Sequence, residues 1–157
     1  MPRSRVLDVG NCDLDHGAIR ALLVNHFEVD VDRAMFVDEA LARLAQDRYD
    51  LVLVNRRIFA DDSDGLALVR RVRAVHARPD DHSHPPVMMI SNFETAQRAA
   101  VEAGALRGFG KARLGDAATI ERLAQVLPRK HASRDRTPAG VDPAGGASTA
   151  AGKASST

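Results

Sequence analysis

Asp50-Leu-Val-Leu-Val-Asn55 is a run of four apolar residues closed at each end by a polar one. The run is too short for a stable helix and does not alternate. It therefore reads as a strand covered on both faces, the condition of a central strand in a parallel sheet. Val87-Met-Met-Ile90 repeats the pattern, and Val6–Val9 and Glu28–Val31 are further strand segments upstream. Leu106–Gly110 is a fifth, weakened by Gly108 and Gly110, which bring no side chain to a sheet.

Between these runs, apolar residues recur at helical spacing. Leu14, Ala18, Ile19, Leu22 and Leu23 form one stripe, and Val37, Ala40, Leu41 and Leu44 a second. Leu66, Val69 and Val72 mark a third helix. Ala96, Ala99, Ala100 and Ala103 mark a fourth, and Ile120, Leu123, Ala124 and Leu127 a fifth. Asp13, Asp64 and Asp116 stand where N-caps are needed, Gly104 where the fourth helix closes and Pro128 where the fifth stops. Five alternations of strand and helix predict an α/β domain, a doubly wound parallel sheet with helices on both faces.

The 157 residues fit one domain, residues 1–128, followed by a tail, residues 129–157. The tail is Ala, Gly, Ser, Thr and Pro with scattered charge. It cannot bury enough surface to offset chain entropy and is expected to be disordered. It carries five of the 22 basic and two of the 21 acidic residues, which leaves 17 against 19 in residues 1–128. A balance so close to neutral does not supply the concentrated basic face that nucleic-acid binding needs. Cys12 is the only cysteine, which excludes an intramolecular disulfide and suits a reducing compartment. It reads as a small buried side chain and not as a reactive or metal-binding thiol. The N-terminus has no signal-peptide core and no apolar run is long enough for a membrane span, so the expected location is cytoplasmic.

In a doubly wound sheet, chemistry gathers at the carboxyl ends of the strands. Those ends are Gly10-Asn11, Asn55-Arg56, Ser91-Asn92 and Lys111-Ala112. At these points residues 5–128 resemble the receiver domains of response regulators in bacterial two-component systems. Asp50 to Asn55 followed by Asp64-Gly65-Leu66 is similar to that family's phosphoacceptor strand, loop and third helix. Pro86 to Ser91 is similar to its fourth strand, ending in the switch hydroxyl. Glu102-Ala-Gly-Ala105 followed by Lys111 is similar to its turn into the fifth strand and its lysine. The resemblance implies a flavodoxin-like five-stranded sheet in the order 2-1-3-4-5.

The departures change the chemistry. In the family an acidic pair after the first strand and an aspartate after the third bind Mg²⁺, and that aspartate accepts a phosphoryl group. Here the acidic pair falls on Gly10 and Asn11 and the phosphoacceptor position on Asn55. Mg²⁺ prefers hard anionic oxygens, and an amide is a poor nucleophile. Ser91 retains the switch hydroxyl and Lys111 the lysine. The aromatic switch position falls on Gly108, beside Phe109, and the usual proline after the lysine is Ala112.

The loop after the third strand is two residues longer than the family pattern and carries Arg56 and Arg57. An arginine could occupy the vacated metal region and pair with Asp8 or Asp13; the alternative is a solvated basic loop. Asp8, a carboxylate inside an apolar strand, is either a displaced ligand or a hydrogen-bonded structural aspartate. Asp80-Asp-His-Ser-His84 holds ligand-type residues but reads as a polar surface turn. His16, His26, His76 and His131 form no catalytic pattern, and no glycine-rich nucleotide loop follows any strand.

These features lead to a pseudo-receiver signalling module that is not an enzyme and uses no metal or cofactor. Its partners would be proteins acting in trans, engaged, as the resemblance implies, through the face made by the fourth helix, fifth strand and fifth helix. Arg98 and Glu102 point outward from the Ala-rich fourth helix, which suits a homodimer or a partner helix. Two other readings stay open: a receiver phosphorylated through displaced acidic residues, and a small nucleotide- or flavin-binding domain on the same scaffold.

Overall fold

The computed structural model describes residues 3–75 and 84–130. The elements run β1 (Ser4–Val9), α1 (Asp13–His26), β2 (Val29–Ala34), α2 (Val37–Gln46), β3 (Leu51–Asn55), α3 (Leu66–Val75), β4 (Val87–Ile90), α4 (Glu94–Glu102), β5 (Leu106–Phe109) and α5 (Ala117–Ala124). A single 3-10 turn, Lys111–Arg113, joins β5 to α5. The five strands are parallel and ordered β2-β1-β3-β4-β5, the doubly wound arrangement expected.

Alternate residues of the central strands feed two cores. Leu7, Val9, Val52, Val54 and Met89 meet Ala40 of α2, Leu68, Val69 and Val72 of α3, and Ala100 of α4. Val6, Leu51, Leu53, Met88 and Ile90 meet Ile19, Leu22 and Leu23 of α1 and Leu123 of α5, with Phe27 and Leu127. Each fully buried Leu, Ile or Phe side chain contributes about 1.5–3 kcal/mol, so the two layers carry most of the fold's stability. At the amino end of the sheet, Arg5 donates to Asp32 at 2.6 Å and Tyr49 donates to the same carboxylate at 2.7 Å, tying β1, β2 and the start of β3 together.

Several expected details differ. β2 runs from Val29 to Ala34, beyond the expected Val31, because it pairs with β1 over six residues. It is an edge strand, and its polar residues Asp30, Asp32 and Arg33 hide it from an apolar pattern. In α1, Leu14 is 83% exposed and Ala18 is also exposed, so the buried stripe shrinks to Ile19, Leu22 and Leu23. Asp13 and Asp116 do not cap through their side chains. Their carboxylates pair instead with Arg33 at 2.8 Å and Arg113 at 3.4 Å. Backbone carbonyls of Cys12 and Asp116 accept the first bonds of those helices. Asp64 behaves as expected, accepting from the Leu66 N–H at 2.9 Å. Gly104 follows α4 with a φ of +115°, a conformation open to glycine.

The chain stays paired slightly past residue 128. Glu28 N–H donates to Pro128 O at 3.2 Å and Lys130 N–H to His26 O at 2.8 Å, forming an antiparallel bridge between Phe27 and Arg129. The expected disordered tail from residue 131, together with His76, His131 and all of the Asp80–His84 turn except His84, lies outside the described residues. Among the described residues no helix is long and apolar enough to cross a membrane.

Leu127 is 3% exposed and leads directly into this bridge. A chain ending at Val126 should therefore be less stable in urea than one ending at Lys130 by about 2 kcal/mol or more. Equal unfolding midpoints would show that the strap contributes nothing.

Candidate functional site

β1 delivers the chain to Gly10, whose φ of +80° is left-handed. A Cβ at this glycine would lie 2.5 Å from Ile58 Cδ1, so the Ile58 side chain already occupies the space. Ile58 comes from the β3–α3 loop and is fully buried. The loop is pinned there by the Phe59 N–H, which donates to Gly10 O at 2.8 Å. Asn55, at the end of β3, donates its Nδ2 to Gly10 O at 3.3 Å and to Arg57 O at 2.7 Å. Gly10 and Asn55 thus meet as expected, but an apolar side chain lies over Gly10.

Asn11 is 1% exposed and turns inward, donating Nδ2 to Asp8 Oδ1 at 2.6 Å. Asp8 is fully buried, and its other oxygen lies 2.6 Å from His16 Nδ1 on α1. Burial pushes the Asp8 carboxyl above the usual aspartate range, opposed by hydrogen bonds from His16 and Asn11 and by the charge of Arg33. Asp8 is therefore the hydrogen-bonded structural aspartate of the two readings.

Of the two readings of the basic loop, neither arginine takes the one in which it enters the vacated metal region. Arg57 pairs with Asp62 at 2.6 Å, and Arg56 lies 5.7 Å over the Phe93 ring. Neither reaches Asp8 or Asp13. The arginine that does enter this corner is Arg33 of β2, in register with Asp8. It donates to Asn11 O at 2.8 Å and pairs with Asp13.

Lys111 donates to Asp15 Oδ2 at 2.6 Å. That bond holds the Asp15 carboxyl below its ordinary range. Ser91 is 9% exposed and its Oγ accepts from the Phe93 N–H at 3.1 Å. The two retained groups are thus engaged within the fold. Cys12, expected to be buried, is only half-buried just ahead of α1.

At Gly108, expected to fall at the aromatic switch position, a Cβ would lie 2.0 Å from Met89 O. Only glycine allows β5 to approach β4 this closely. Gln97 of α4, 3% exposed, fastens the contact: its Oε1 accepts from the Gly108 N–H at 2.9 Å, and its Nε2 donates to Met89 O at 2.9 Å and Ser91 O at 3.1 Å. Phe109 is buried in the core on the α1–α5 side.

This arrangement does not fit Mg²⁺. The positions that resemble the three receiver carboxylates, Gly10, Asn11 and Asn55, are a glycine and two amides, Asn11 is turned onto Asp8, and Ile58 covers Gly10. Among the described residues no group of three or more His, Cys, Asp and Glu side chains is placed to hold a metal ion. Of the residues that build the corner, the sequence reading missed Ile58, His16, Asp15, Arg33 and Gln97. Ile58 alone carried a usable signal, as part of the apolar stretch Ile58-Phe59-Ala60 between charged residues of the loop.

Removing the His16 imidazole should leave a buried carboxylate with one fewer donor. His16→Ala is expected to lower stability by about 2–3 kcal/mol near neutral pH. Because the folded carboxyl already holds its proton more tightly than the unfolded one, stability falls as pH rises above the ordinary aspartate range. The cost of His16→Ala should therefore shrink from neutral to acidic pH, as Asp8 takes up a proton, and in an Asp8→Asn background. Urea unfolding at neutral and acidic pH checks this, and a pH-independent cost would rule out the pairing as the cause. Gly108→Ala should cost about 2 kcal/mol through its collision with Met89 O, read by thermal unfolding.

No protein-family model matches the chain, and no curated protein does. Solved structures do. A response regulator from Thermotoga maritima is 25% identical, with 80% of this chain and 98% of that one covered and a TM-score of 0.61. The signal receiver domain of an HD domain-containing protein from Pseudomonas fluorescens is 18% identical over 80% of this chain and 94% of that one, with a TM-score of 0.63. A CheY-like receiver domain from Methylobacillus flagellatus is 24% identical over 79% and 98%, with a TM-score of 0.60. With its strand order and its two helical layers, the chain has the fold of the response-regulator receiver domains.

Proposed function

We propose that this chain is a receiver-type signalling module that acts by binding protein partners and does not pass through an acyl-phosphate. The observation that carries this reading is the Ile58 side chain seated on Gly10, where a Cβ would come within 2.5 Å. An aspartate introduced at residue 10 would need both a left-handed backbone and the space that Ile58 fills. The Asn55 amide, bonded to two backbone carbonyls, offers no nucleophile. Lys111, which would meet a phosphoryl oxygen in an active receiver, is neutralised by Asp15.

The partner surface in this reading is the α4–β5–α5 face. It holds a groove of about 530 Å³ whose lining includes Arg107, Phe109, Arg113 and Arg122. Arg107 is paired with Glu94 and Arg113 with Asp116, whereas Arg122 donates to the Gly108 carbonyl at 2.9 Å. The module performs no chemistry of its own, and its output is the complex it forms.

Incubation with acetyl phosphate or phosphoramidate and Mg²⁺, followed by intact mass, tests the first half. The expected result is no phosphoryl adduct, for the native chain and for Asn55→Asp alike. In Asn55→Asp, Gly10 and Asn11 still withhold the metal-binding pair. A hydroxylamine-labile adduct on the native chain would overturn the proposal and favour displaced acidic residues.

A further inference from the structure

The first turn of α1 has no apolar anchor. From Asp13 to Ala18 no residue is buried, and the buried stripe of the helix begins only at Ile19. Leu14 is 83% exposed, and a Cβ on Gly17 would meet nothing within 4 Å. No side chain caps the helix, and a glycine in its second turn opposes helix formation through backbone entropy. Packing and propensity therefore do not hold this turn. A surface helix is normally fixed by its apolar face, as α1 is from Ile19 onward.

Polar ties take the place of packing, and each runs to a different part of the sheet. Asp13 pairs with Arg33 of β2 at 2.8 Å, and His16 Nδ1 lies 2.6 Å from Asp8 of β1. Lys111 donates to Asp15 at 2.6 Å from the 3-10 turn after β5. β2 and β5 are the two edges of the sheet, so a single helical turn joins its opposite sides. The ties differ in strength. Asp13 is 94% exposed, which leaves its pair largely screened by water. The Asp15 and Lys111 side chains are 30% and 31% exposed, and Asp8 is fully buried. Those two ties carry the turn, and Lys111 lies 96 residues from its partner in the chain.

We infer that residues 12–18 form a latch that opens as one unit, separately from the rest of α1, and that Lys111 governs it. Opening breaks all three ties together, because they leave the same turn. It gives up little apolar burial, since no residue from Asp13 to Ala18 is buried, and it stops at Ile19, where the packed stripe starts. The open form frees Lys111 and Arg33 from their carboxylates and gives water access to Asp8. Any change that draws Lys111 away from Asp15 therefore loosens the start of α1, and with it the hold on Arg33 of β2. Ala112 and Arg113 share the 3-10 turn with Lys111 and line the α4–β5–α5 groove, so the latch and that groove meet on one short element. The latch depends neither on a partner using the groove nor on whether the chain is phosphorylated.

The test is amide hydrogen exchange of the full chain, followed residue by residue by NMR. His16 N–H donates to Cys12 O, so the amides of residues 16–18 report opening of the turn, and those of residues 22–26 report the packed part of the same helix. The first group should exchange at least about tenfold faster than the second, and added salt should widen the difference. Lys111→Met and Asp15→Asn should each speed residues 16–18 at least about fivefold and leave residues 22–26 unchanged. The double variant should add little to either, because both remove the same bond. Leu14→Ala should have no effect, since that side chain is already in solvent. Exchange that is uniform along α1 would overturn the inference, as would an effect of Lys111→Met confined to residues near 111. Acceleration by Leu14→Ala equal to that by Lys111→Met would overturn it too, by assigning the turn to apolar packing.

Discussion

Ile58 rests on the bare Cα of Gly10, and the arrangement of the carboxyl edge follows from that contact. A side chain at residue 10 would collide with it, and the left-handed backbone at Gly10 would resist one in any case. Because Ile58 is drawn into the core, the loop folds over the ends of β1 and β3, and Phe59 N–H reaches Gly10 O. The same fold-over leaves the Phe59 ring in solvent and turns Arg57 outward to Asp62. One apolar contact thus seals the corner and supports the loop.

The charges that remain nearby are matched within the domain. Asp8 has His16 and Asn11, Asp13 has Arg33, and Asp15 has Lys111. A buried carboxylate is tolerable only with donors on its oxygens, and Asp8 has one on each. On the other side of the sheet end, Gln97 stitches β4 to β5 across Gly108 with three hydrogen bonds. Both devices favour a single arrangement of the strand ends. In the proposed reading, that constancy suits a module whose output is a binding surface.

Strand and helix segments were legible because the two periodicities differ and the central strands are uninterrupted runs of apolar residues. Asp50–Asn55 and Val87–Ile90 needed nothing more. Legibility failed at the edge and at the caps. β2 looked short because an edge strand shows its polar residues to solvent, and Asp13 and Asp116 looked like caps until arginines elsewhere in the chain drew them away. The substitutions at residues 10, 11, 55 and 108 were visible as letters, but their consequences were not. Ile58 had no assigned partner, because the residue it covers lies 48 positions earlier.

The sequence by itself determined the α/β alternation and the two apolar layers, and it shows a glycine and two amides at residues 10, 11 and 55. Local periodicity and residue chemistry settle those without reference to distant parts of the chain. Only the tertiary structure decided that the corner is sealed by Ile58, that Arg33 and not Arg56 serves Asp13, and that Gly108 is required by close approach to Met89. Each is a contact or alignment between segments that the sheet order brings together, and sheet order is a property of the whole fold.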